Sequence, residues 1–115
     1  MHKCWILLMI LMLSGRVGLC DTHYVSINGW HITPYTNWLT AATNINAAVK
    51  ATSDSDTVLV TNGTYTGPQN RGITITNYII LSSLNGPDVT IVDCETNNFG
   101  FKVEKKTSNP TTDIP

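Results

Sequence analysis

Asp54, Asp56, Asp88 and Asp93 are the carboxylates of this 115-residue chain best suited by type to acid–base work or calcium binding. Asp54 and Asp56 flank a turn, and Asp88 follows Pro87 in another, so their placement points to turn-forming roles instead. His23, His31 and Cys94 are metal-ligating types, but no ligand spacing links them and no metal centre is expected. Trp30, Tyr35 and Trp38 lie close in sequence and have the rings to stack on a sugar; packing within an N-terminal cap is the favoured expectation. Asn62-Gly63-Thr64 matches the N-glycosylation sequon, which a corner Asn-Gly explains equally well. No catalytic, cofactor-binding or metal-binding residue is assigned on this reading, and no cofactor is expected.

The elements that would carry these residues begin after an export signal. Met1-His2-Lys3 is a positive start, Cys4 to Leu13 is an unbroken apolar run, and Ser14 to Cys20 is more polar. This is the pattern of a secretory signal peptide over residues 1–20, with cleavage between Cys20 and Asp21 and with Gly18 and Cys20 as the small residues. A membrane-spanning helix needs about 20 apolar residues, and Arg16 interrupts the run too early. A retained anchor is therefore the weaker reading. A lipoprotein box at Val17-Gly18-Leu19-Cys20 is weaker too, because Leu19 stands where a small residue is wanted. The mature chain is expected to be secreted or at the cell surface, without a membrane span. It keeps five Lys and Arg against eight Asp and Glu, a net charge of −3. With only 13% charged residues in the whole chain and no basic excess, a nucleic-acid partner is not expected. Only Cys94 survives processing, so no internal disulfide can form, and a buried inert thiol is expected there.

After residue 20 the chain holds 17 Thr and 11 Asn, which favour strands and turns respectively. Asn-Gly pairs at 28–29, 62–63 and 85–86 mark sharp corners. One segment, about residues 37–52, has apolar residues at three- and four-residue spacing and predicts an amphipathic helix capped by Thr36 or Asn37. A repeat of about 21 residues aligns Asp56, Asn77 and Asn98, and also Leu59, Ile80 and Phe101, each set beginning a strand-like run. Further strand candidates lie at Gly72–Thr76 and Val89–Val92. Such a period, with two strands per unit, predicts a parallel β-solenoid whose coils stack about 4.8 Å apart. Asp56, Asn77 and Asn98 are then structural corner residues, and the helix covers the open end of the stack.

The run Thr22–Gly29, the helix containing Ala41–Val49, the run Asp56–Tyr65 and the segment Ser83–Asp93 together resemble the N-terminal cap and first coils of secreted right-handed parallel β-helix proteins. These belong to the pectate-lyase-like superfamily and are similar to the repeats of polymorphic outer-membrane proteins. Asp54-Ser55 departs from the pattern, since relatives commonly have a small residue and Gly there. The resemblance implies an all-β, right-handed parallel β-helix fragment with an N-terminal capping helix. Its parts are a cap over 21–54, the first coils over 55–103, each as long as the predicted repeat, and a polar tail or truncated next coil over 104–115. Lyases and hydrolases of this fold use carboxylates, often with calcium, and a basic residue on middle coils; no position here matches such a motif. The expected function is a non-catalytic exported scaffold, meeting extracellular polysaccharide or a cell-surface partner, and the N-terminal fragment of a longer protein. The alternatives are the front end of a polysaccharide lyase or hydrolase lacking its catalytic coils, and a small independent β-sandwich binding module.

Overall fold

A computed structural model describes residues 20–97 and 99–104. Among them, seven short strands alternate with turns in chain order: β1 Thr22–Val25, β2 Thr57–Val60, β3 Gly63–Tyr65, β4 Ile73–Ile75, β5 Ile80–Ser83, β6 Thr90–Val92 and β7 Phe101–Val103. An α-helix, α1 Ile45–Lys50, precedes β2, and a 3₁₀ turn spans Pro68–Asn70. The described chain is thus mostly β-structure with little helix.

Every ladder among the described residues is parallel. β1, β2 and β5 form one three-stranded sheet in that order, β3 pairs with β6, and β4 pairs with β7. The sheets are short and unclosed. The order of pairing is nevertheless matched: the consecutive strands β2, β3 and β4 take as partners the consecutive strands β5, β6 and β7. The antiparallel ladders of a β-sandwich do not occur among the described residues.

The period predicted from the sequence is not the pairing register. Thr57 lies opposite Ile80, Gly63 opposite Thr90 and Ile73 opposite Phe101. Each of these separations along the chain is longer than the predicted repeat, and no two are equal. Leu59 faces Ser82 and not Ile80, and the Asn98–Val103 run adds to β4 and not to β5. Unequal corner lengths cause the difference, because the ladder fixes strand pairing and leaves loop length free. β3, which follows Asn62, is a strand where the sequence reading has only a corner.

The helix is also shorter than expected. The span 37–52 contracts to Ile45–Lys50, and the cap is Asn44, whose side chain accepts from the Ala47 N–H at 2.8 Å. Asn37 instead closes a turn, its Oδ1 accepting from Thr40 N–H and Oγ1. The intervening residues have another use. Ala42 bridges to Val25, with Ser26 N–H donating to Ala42 O and Ala42 N–H to Tyr24 O. That bridge and the bond from Tyr24 N–H to Tyr35 O occupy the outer edge of the end of β1, so the segment before α1 hinders strand addition there. Ile45, Ala48 and Val49 of α1 join Val25, Val58, Val60, Tyr65, Ile73 and Ile75 in one buried cluster. Asn70, itself buried, ties the helix to the 3₁₀ turn by accepting from Ile45 N–H and donating to Thr66 O.

Inward positions stack in columns across the ladders: His23–Val58–Leu81, Val25–Val60–Ser83, Tyr65–Val92, Ile73–Phe101 and Ile75–Val103. The last member of each column is its least buried. Ile75 is 8% exposed, whereas its partner Val103 is 79% exposed.

Candidate functional site

Two features stand out, a buried charged cluster between β1 and β2 and an aromatic loop that follows β1. The cluster arises from register. Thr22 lies opposite Thr57, so the dipeptides Asp21-Thr22 and Asp56-Thr57 run side by side, joined by Thr57 N–H donating to Asp21 O. Alternation along β1 turns His23 inward, where it meets the Asp56 carboxylate. Asp56 is 3% exposed. Its Oδ1 accepts from Asp21 N–H at 3.0 Å, and its Oδ2 accepts from Ser53 N–H at 2.9 Å and lies 2.9 Å from His23 Nε2. His23 Nδ1 lies 2.7 Å from the Pro34 carbonyl oxygen. A carbonyl and a carboxylate both only accept, so the imidazolium form of His23 makes both bonds at once. Burial alone would raise the Asp56 pKa, but the Ser53 and Asp21 N–H groups and then His23 outweigh it and hold the carboxyl below its ordinary value.

The carboxylate of Asp21 completes a trio whose ligand atoms lie within 4.8 Å of one another. That is close enough for a shared cation, but His23 and Asp56 direct those atoms at each other and at backbone groups. The cluster therefore acts as a clasp between β1, the turn before β2 and the Pro34 loop. Sequence reasoning places Asp56 as a corner residue and groups His23 with His31 and Cys94. The Asp-Thr dipeptide that occurs at both Asp21 and Asp56 is the signal that could have paired them.

Asn77 sits in a bend, its Nδ2 donating to Thr52 O at 2.9 Å, and so ties its corner to the end of α1. It is not stacked on Asp56, whose carbonyl accepts from Ile80 N–H. Asn98 lies outside the described residues. Cys20 and Asp21, the expected cleavage pair, are both exposed. Asp54 accepts from Tyr78 N–H, Asp88 lies in a turn, and Asp93 accepts from Glu95 N–H. Cys94 is half-buried, not buried as expected, because it leads into a turn and not into a further inward strand position. His31 lies in the aromatic loop, away from any ligand set: its Nδ1 accepts from Thr43 N–H at 3.0 Å. The other nitrogen, Nε2, lies 3.4 Å from the Tyr35 hydroxyl.

The aromatic loop corrects the expectation that Trp30, Tyr35 and Trp38 all pack inside the cap. Tyr35 does so, with its N–H donating to Ile32 O and its carbonyl accepting from Tyr24 N–H. Trp30 is 63% exposed and Trp38 39% exposed. The loop closes on itself through Trp30 N–H to Leu39 O, Ile32 N–H to Thr40 O and His31 N–H to Ala41 O. Its base is tight, since a Cβ on Gly29 would stand 2.2 Å from the Ala41 oxygen. With the backbone closed this way there is no interior left for the Trp30 indole. Trp38 rests edge-on against Tyr24, with ring centroids 4.5 Å apart. The result is an exposed aromatic surface on a braced loop, which also carries the exposed Asn28 and Asn37. At the far end of the columns, a groove of about 370 Å³ is lined mainly by apolar side chains, including Val60, Leu81, Val92 and Phe101. Thr90 also lines it, and its hydroxyl is buried without a hydrogen-bond partner.

Compared with protein-family models, with curated proteins and with solved structures, the chain matches none of them. Among the described residues, no helix is long and apolar enough to cross a membrane.

Proposed function

We propose that this chain is the N-terminal part of an exported right-handed parallel β-helix protein, a non-catalytic scaffold that presents the Trp30–Trp38 loop to extracellular polysaccharide. One observation carries the reading: β2, β3 and β4 pair in order and in parallel with β5, β6 and β7, as two successive coils would. Supporting it, Asn85 Nδ2 donates to Asn62 Oδ1 at 2.8 Å, so two Asn-Gly corners are joined from one layer to the next. The lower burial of the last member of every column, the apolar groove at its end and the edges of β5, β6 and β7 that no strand among the described residues pairs favour a further layer of chain on that face. Exposed indoles flanked by amides are suited to sugar rings, which present apolar C–H faces and hydroxyl groups.

The test is retention of the exported full chain on a panel of neutral and acidic polysaccharides, with absorbance of unsaturated uronates followed on the acidic ones. Retention without an absorbance rise is expected, and Trp30→Ala should weaken it about tenfold or more, in keeping with about 1–3 kcal/mol for one stacking aromatic ring. An absorbance rise would replace the scaffold with a lyase. Absence of retention on every polysaccharide would remove the binding role.

A further inference from the structure

The clasp around Asp56 holds an uneven set of charges. The carboxylates of Asp21 and Asp56 belong to it, and the His23 ring lies 2.9 Å from Asp56. The backbone nitrogen of Asp21 lies 3.0 Å from Asp56 Oδ1. Asp21 is also the residue that follows the expected export cleavage. We propose that removal of residues 1–20 completes the clasp, turning the Asp21 N–H into a terminal ammonium group held against the buried Asp56 carboxylate. This rests on the export reading above.

The step is hydrolysis of the Cys20–Asp21 peptide bond by a signal peptidase. Water supplies a hydroxyl to the Cys20 carbonyl carbon and a proton to the Asp21 nitrogen, which takes a second proton from solvent. The donor already in place thereby gains a full positive charge without moving. The bond then has a charge on both donor and acceptor, which adds the attraction of an ion pair to a contact in which only the acceptor was charged, and the acceptor here is almost fully buried. The same residue is stitched to β2 from its other side, through Asp21 O and Thr57 N–H. Processing thus tightens the β1–β2 register, and the unprocessed chain carries the same contact only from a neutral N–H to the carboxylate.

The test begins with the mass of the exported full chain, which should correspond to Asp21 as first residue. Inserting one Gly between Cys20 and Asp21 restores a peptide N–H at Asp21 after processing. At neutral pH the Asp21 amine should be acylated about tenfold more slowly than the free Gly amine of the inserted form. The folding constant from urea melts should fall by about tenfold on insertion, as expected when a charged donor is replaced by a neutral N–H, and that fall should vanish in Asp56→Asn. Equal amine reactivity and equal urea midpoints would overturn the proposal. Should Asp56→Asn fail to fold, the amine reactivities decide alone. Should the mass show a different first residue, the export reading fails by itself, and cutting the full chain at a protease site engineered to leave Asp21 first still tests the amine contact by the same two measurements.

Discussion

Asp56 joins the start of β1 to the turn before β2, because its two oxygens receive Asp21 and His23 from the first segment and Ser53 from its own turn. Replacing it with Asn leaves an amide NH₂ facing donors and an inward imidazole without its carboxylate partner. Breaking a buried pair by removing one partner is expected to destabilise by roughly 3–5 kcal/mol, measurable by urea denaturation. The pH dependence has a definite sign. Asp56 has a lowered pKa in the folded state, so the unfolded chain takes up its proton first as pH falls. Its stabilisation is complete above the ordinary aspartate value of 3.8 and is lost as pH drops through the lower folded value. Urea midpoints should therefore fall on acidification in the native chain, with the Asp56 contribution absent from Asp56→Asn. Gly29 makes a second residue-scale prediction: with the Ala41 oxygen 2.2 Å from a built Cβ, Gly29→Ala must open the base of the aromatic loop. A loss of roughly 1–3 kcal/mol, typical of overpacking, should accompany rising solvent exposure of Tyr35, read by its absorbance.

At the scale of elements, the turn between α1 and β2 contains a residue in an unfavourable backbone state. Ser55 adopts φ +77°, the left-handed region, while its N–H donates to Tyr78 O. This is the position where the resemblance leads one to look for Gly. An L-residue there costs about 1–2 kcal/mol, partly offset by the greater flexibility of an unfolded Gly. Ser55→Gly should thus stabilise the chain by about 0.5–1 kcal/mol in thermal or urea melts. The strands themselves were legible, because Thr57–Val60, Ile73–Ile75 and Thr90–Val92 carry β-branched residues between turn signals. The helix was over-read because Trp38, Ala41 and Ala42 fall at helical spacing while being held by the loop closure and the Val25 bridge. Periodicity reports which residues face inward but cannot tell a helix from a loop braced by long-range backbone bonds. The clasp was hidden for a related reason: Asp21, His23 and Asp56 are brought together by the β1–β2 register, which local pattern does not encode. Each stood out in the sequence for another reason: Asp56 for its corner position, His23 as a metal-ligating type and Asp21 for its place after the expected cleavage.

For the whole molecule, the matched order of pairing and the falling burial along the columns are the two features that bear on what the chain is. The proposed successive coils in parallel register would account for both, whereas an independent sandwich would need antiparallel neighbours. The predicted period failed because corners differ in length from one layer to the next, so no constant offset in sequence can match the ladder. The most direct test of the stacked-coil account is nuclear Overhauser spectroscopy on the isotopically labelled exported full chain. It should show parallel cross-strand contacts for Thr57 with Ile80, Gly63 with Thr90 and Ile73 with Phe101, without the short Hα–Hα contacts of antiparallel pairs. Strong Hα–Hα contacts between any of these strands, or pairing of Leu59 with Ile80 as a constant repeat would require, would contradict it.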